Sequence, residues 1–266
     1  MTVVTARDYA WIRSSRMFGD AMRGGYGLAL VRGLAPTDVL RLMEAEPKGT
    51  GEGLEALVEE HLEHRDATDY RDDSFIAGAF TVPGAAGDWT LVFDFDGGVG
   101  VTRFMPALSR NGRAVSHSTN GGMPIDLFDW YEGGELRTGF EWPTNRYGST
   151  PDELVPVMRE IGFDLGEDED GTGPSADTKA AVLALTEHLT GVRLTEQLLG
   201  NAEYHFGHVP EAPAEEWTKV IIDVTGADGE RFHEEVTREE VEAATALART
   251  RAGEPIVVLG PSSPAP

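Results

Sequence analysis

Residues 125–142 read IDLFDWYEGGELRTGFEW. Two runs rich in β-branched and aromatic residues flank Gly133–Gly134, a pair suited to a two-residue β-hairpin turn. Counting outward from the glycines pairs Tyr131 with Leu136, Trp130 with Arg137, Leu127 with Phe140 and Asp126 with Glu141. In this register Ile125, Leu127, Tyr131, Leu136, Phe140 and Trp142 form a core face. Phe128, Trp130, Arg137, Asp126 and Glu141 share the other. A short connection makes the strands antiparallel, and this sets the expectation for the fold.

Working outward, residues 88–104, DWTLVFDFDGGVGVTRF, predict a second hairpin closing at Gly97–Gly98, with Trp89, Leu91, Phe93 and Phe95 on one face. Residues 8–46 predict helix, strand, helix, with Pro36 in the first turn of the second helix. EPKGTGEG (46–53) reads as a flexible break, followed by a helix whose stripe is Leu54, Leu57, Val58, His61 and Leu62. From 150 to 208 the pattern is helical. It opens on a capping box at Thr150, Pro151 and Glu153, continues over 177–190 with Gly191 as the stop, and resumes near 195; Pro156 threatens a kink. Beyond a linker at PEAPAEE come a hairpin, a helix capped by Thr237 and Glu240, a last strand PIVVLG and a disordered PSSPAP tail. Hairpins in groups and helices in blocks predict an α+β fold. A hairpin-rich antiparallel central sheet is packed by helices in a main domain over 6–210. A small ββαβ extension spans 215–260, and 261–266 form the tail.

The 266 residues include no cysteine, which excludes disulfides, thiolate metal sites and a cysteine nucleophile. The formal net charge is −24. Such a chain repels phosphates and anionic headgroups, so neither nucleic acid nor membrane is an expected partner. A protein with a basic surface is. No secretory h-region or membrane-spanning run is visible, so a soluble, cytoplasmic protein is expected.

Two features bear on metal chemistry. GEDEDG (166–171), placed with Gly171 at the sixth position of a calcium loop, puts Asp168, Asp170 and Asp177 on ligand positions. It also puts Gly166 first and Pro174 ninth, too few ligands for a tight site. His61/His64 and His205/His208 each stand three apart without a third ligand in view. No metal or cofactor is therefore expected. Neither a GxSxG elbow nor a phosphate-binding loop occurs, and no catalytic residue is assigned.

The mixed face of the 125–142 hairpin and the loop after it hold the candidate binding residues. These are Phe128, Trp130, Arg137, Glu141, Trp142, Arg146 and Tyr147, residue types that anchor interfaces. Trp130 beside Arg137 suits a cation–π contact. The expectation is an acidic adaptor, immunity-type or regulatory protein docking onto a basic partner. The alternative is an enzyme or small-ligand binder whose pocket gathers Arg103, His117, Asp126, Glu141 and Arg146.

Several segments carry a resemblance: LVRGLAPTDVL, DWTLVFDFDGGVG, AVSHSTN, FDWYEGGELRTGFEW, RYGSTPDELVPVMREIGFDL and ALTEHLTGVRLTEQLL. Together they resemble an uncharacterised, mostly actinobacterial family, domain of unknown function number 6461, over residues 6–210. The resemblance implies a shared fold and carries over no activity, cofactor or catalytic residue.

Overall fold

The computed structural model describes residues 4–15, 25–68, 73–95, 100–120, 126–165, 178–212, 218–225, 231–241 and 243. The chain divides into two units, Met1–Ala212 and Pro213–Pro266.

The first unit is built on a nine-stranded antiparallel sheet. Its strands are β1 (Tyr26–Arg32), β2 (Glu46–Glu52), β3 (Phe75–Gly84), β4 (Gly87–Asp94), β5 (Arg113–Thr119), β6 (Asp126–Glu132), β7 (Glu135–Phe140), β8 (Arg146–Tyr147) and β9 (Glu203–Val209), in the order β2-β9-β3-β4-β1-β5-β6-β7-β8. Six helices connect them: α1 (Pro36–Leu42), α2 (Gly53–Thr68), α3 (Met105–Leu108), α4 (Val155–Ile161), α5 (Thr178–Thr190) and α6 (Glu196–Asn201). Among the described residues the unit also has two 3-10 helices, Ala6–Arg13 and Gly100–Phe104. The fold is α+β.

Helices cover both faces, so the central strands are buried on both sides. On one face Leu28, Leu30, Leu91, Phe93 and Val115 meet α2, α4, α5, α6 and the Ala6–Arg13 helix. On the other Ala29, Val31, Ala79 and Val92 meet Val39 and Met43 near α1, and Met105 and Leu108 of α3. Helix α5 is apolar on nearly every side, buried from Ala180 to Thr186, as expected of a helix enclosed by its neighbours.

The 125–142 hairpin closes at Gly133–Gly134, with φ of 63° and 86°. Both central residues thus have the positive φ a type I′ turn needs. Its register then departs from the simple count. Tyr131 faces Leu136, but a bulge leaves Arg137 unpaired, so Trp130 faces Thr138 and Phe128 faces Phe140. One inserted residue shifts every pair beyond it. Phe128, Trp130 and Phe140 therefore enter the helix-covered core, and Leu127 and Tyr131 stay half-buried on the other side. Asp126 sits opposite Thr119 of β5.

Four other expectations are corrected. Residues 100–104 form a 3-10 helix, and β4 pairs with β3, through a two-residue connection, and with β1. The expected closing glycines, Gly97–Gly98, lie outside the described residues. The break at 46–53 is largely strand β2, held at the sheet edge by β9. There Gly51 has no side chain because the Phe206 ring occupies its place, 2.6 Å from where a Cβ would stand. Residues 203–209 are strand β9, with Tyr204 and Phe206 turned inward. Helix α4 starts at Val155, later than the Thr150 box, so Pro156 falls in its first turn, where no hydrogen bond is lost.

The second unit shows an antiparallel pair, β10 (Lys219–Thr225) and β11 (Arg231–Thr237). Thr237 and Glu240 cap one another as expected: the Thr237 N–H donates to Glu240 at 2.8 Å and the Glu240 N–H to the Thr237 hydroxyl at 3.3 Å. Residues 238–241 are helical. Residue 243 is also helical, while the other residues of the expected helix, the PIVVLG strand and the tail lie outside the described residues, as does GEDEDG.

Candidate functional site

Strands β5 and β6 place two polar groups at opposite ends of one face. Their register sets Arg113 against Glu132, Val115 against Trp130, His117 against Phe128 and Thr119 against Asp126. The apolar middle separates an arginine–tryptophan cluster from a histidine–carboxylate cluster.

At the first end Trp130, 3% exposed, lies between two guanidinium groups, Arg113 at 5.3 Å and Arg137 at 5.6 Å from its ring centre. Arg113 pairs with Glu132 at 3.0 Å and donates to the Leu189 carbonyl at 3.2 Å. Arg137 pairs with Glu153 at 2.8 Å, and this bond holds the Glu153 carboxyl below its usual range. Although the bulge pairs Trp130 with Thr138, the Arg137 guanidinium still reaches the indole. The expected Trp130–Arg137 contact is thus present, and Arg113 is a second cation that the hairpin alone could not reveal.

At the second end His117 has no solvent exposure. Its Nδ1 is 3.0 Å from the Tyr26 hydroxyl, its Nε2 makes no hydrogen bond, and Asp126 Oδ1 lies 3.8 Å from that nitrogen. Lys179 of α5 stands 3.2 Å from the same carboxylate oxygen and donates to the Thr119 hydroxyl at 3.1 Å. The Lys179–Asp126 distance is that of an ion pair, though Asp126 Oδ1 accepts no properly aligned hydrogen bond. Charge attraction, which tolerates poor angles, explains the approach. Burial drives His117 down to about 4, with Asp126 opposing and Lys179 adding to the fall. Its lowered pKa leaves the imidazole neutral at pH 7, hydrogen-bonded to the Tyr26 hydroxyl through Nδ1. Burial raises the Tyr26 hydroxyl above its usual range, so the Tyr26–His117 end of the line Tyr26–His117–Asp126–Lys179 is uncharged.

The residues expected to bind a partner divide. Phe128 and Trp130 are core. Glu141, Trp142 and Arg146 are half-buried, and Tyr147, 43% exposed, sits on the edge strand β8. Arg146 is pinned by Asp152 at 2.8 Å and by the Pro143 carbonyl. The Tyr147 hydroxyl donates to Asp129 at 3.4 Å. Of the polar residues expected in a pocket, His117 and Asp126 come together. Arg103 instead lies over Phe104 at 4.6 Å and bonds the Pro210 carbonyl. A shallow cleft of about 530 Å³ beside Phe80, Gln197, Asn201 and Glu203 contains none of them.

The paired histidines regroup across elements. His64 meets His208 at 4.9 Å between ring centres, bonding Ser74 at 2.9 Å, and His61 rests on Phe95. Among the described residues no three His, Cys, Asp or Glu side chains converge. The sequence did not single out Lys179, Tyr26 or Asp129. Lys179 offered one signal, a lone cation opening an otherwise apolar helix.

No curated protein and no solved structure matches the chain. The match to the family described as Family of unknown function (DUF6461) runs over residues 2–214, which takes in all nine strands of the large sheet, and the chain belongs to that family.

Proposed function

We propose that the protein is a soluble, cytoplasmic interaction module, and that it docks a basic partner on the corner formed by Glu141, Trp142, Arg146 and Tyr147. The observation that carries this reading is the pre-set aromatic pair at the end of the sheet. Trp142 and Tyr147 stay accessible, and the residues around them are tied down by Asp152, Pro143 and Asp129. Rigid aromatic anchors lose little entropy on binding. A chain of net charge −24 draws a basic partner and speeds its approach. The test is native mass spectrometry of the protein isolated gently from its host. A stoichiometric second polypeptide is expected, and it should be lost from a Trp142→Ala, Tyr147→Ala variant that melts normally. Its retention by that variant would discard the corner.

A second reading rests on the His117–Asp126–Lys179 convergence. An imidazole nitrogen buried without a partner costs stability, and such costs gather at ligand sites. On this reading the same spectra should show a small-molecule adduct that Lys179→Gln removes. A bare chain, or an adduct indifferent to Lys179, would count against it.

A further inference from the structure

Ser116 of β5, Asp129 of β6, Gly139 of β7 and Tyr147 of β8 are successive cross-strand partners. They form one straight row on the face opposite Trp130. Side chains in such a row stand close enough to interact. At Gly139 the row has a gap. A Cβ there would lie 2.5 Å from Asp129 Oδ1 and 2.6 Å from the Tyr147 ring. The ring therefore lies across the glycine, an aromatic covering a bare sheet position from the next strand. Its hydroxyl reaches Asp129 at 3.4 Å, a long and easily broken bond.

The groups facing Asp129 are Tyr147 from β8, Tyr131 from its own strand and Ser116 from β5, whose buried hydroxyl lacks a hydrogen-bond partner. Glu141 acts on Tyr147. None of these is a cation, and only the Tyr147 hydrogen bond offsets part of the cost of burying the carboxylate.

We propose that Asp129 and Tyr147 form a proton-operated clasp that sets the pose of the docking tyrosine, holding it at neutral pH and releasing it on mild acidification. This rests on the reading of the corner as a docking surface. Burial raises the Asp129 carboxyl to about 6, against the opposing pull of the Tyr147 hydrogen bond. Above that value the acceptor is ionised, and a bond to a charged acceptor is roughly twice as strong as one to a neutral group. Below it the bond weakens, and the exposed ring is free to leave the glycine. The sign for stability follows. The folded pKa is above the unfolded one, so ionisation is penalised in the fold. This group's contribution to stability falls as pH rises from about 4 to about 6.

The test uses the full chain without a partner, with 13C-labelled aspartate carboxyls and tyrosine rings followed by NMR through mild acid to neutral pH. Asp129 should titrate near 6, and the Tyr147 ring signals should move with the same midpoint. Asp129→Asn, which keeps an acceptor of the same shape, should abolish that movement and melt higher than the parent at neutral pH. A Tyr147 ring that stays still, or that moves identically in Asp129→Asn, overturns the clasp. Loss of docking in the Trp142, Tyr147 variant is read separately, so a failure of the clasp and a failure of the corner remain distinct.

Discussion

Trp130→Ala is expected to cost about 3–5 kcal/mol, the usual range for emptying a large aromatic from a core. For a unit of this size that lowers the melting temperature by roughly 6–20 °C. The indole is 3% exposed and belongs to the same core cluster as Met158 and Ile161 of α4 and Leu183 and Leu185 of α5. Its loss also strips two guanidinium groups of the ring they face. Arg137→Met should do far less, because Arg137 reaches water and its pair with Glu153 is itself exposed. Thermal and urea unfolding of the two variants decides the matter. Equal, small losses would remove Trp130 from the core. The same result warns against using Trp130 to probe docking, since a variant that unfolds loses every activity. Trp142 and Tyr147 can be removed without opening the core.

Lys179→Met should destabilise by about 3 kcal/mol, near the lower end for a broken buried ion pair, because Lys179 keeps some contact with water. Its side chain is 26% exposed, whereas that of Asp126 is 7% exposed. The substitution leaves a buried carboxylate facing the orphaned His117 nitrogen. Adding Asp126→Asn should restore most of the loss by removing the stranded charge. A double-mutant cycle in urea gives the coupling directly. If the two losses simply add, the residues are independent and the line from Tyr26 to Lys179 is only a row of neighbours.

The hairpin at Gly133–Gly134 was legible because two glycines between apolar runs leave the backbone one good turn. The face it buries was not. Leu127 and Tyr131 are apolar on one side, Phe128 and Trp130 on the other, so a strand covered on both faces has no polar stripe to orient it. A bulge adds a residue without any compositional mark, which hid the Phe128–Phe140 pairing. Strand β2 was invisible for another reason. Its glycines and Pro47 favour a loop locally, and only pairing with β9, some 150 residues later, makes it a strand. The candidate corner was visible in its residue types, and the clasp was not. Asp129 meets Gly139 and Tyr147 only through pairings set by the shifted register. Lys179 reaches Asp126 from a helix 60 residues away from its Thr119 neighbour, a distance no local pattern spans.

The position of β9 bears on how the chain is made. It lies between β2 and β3, yet it is the last strand of the sheet in sequence. During synthesis β1 and β3 to β8 can pair as they emerge, while β2 has no partner and β3 keeps an open edge. Both wait until the segment 203–209 has left the ribosome. An emerging chain halted before that point would expose the unpaired border of β3, the kind of edge that recruits other chains. A nonsense mutation just upstream of Glu203 would thus detach two strands rather than one, and its product should aggregate rather than accumulate as a shortened but working protein.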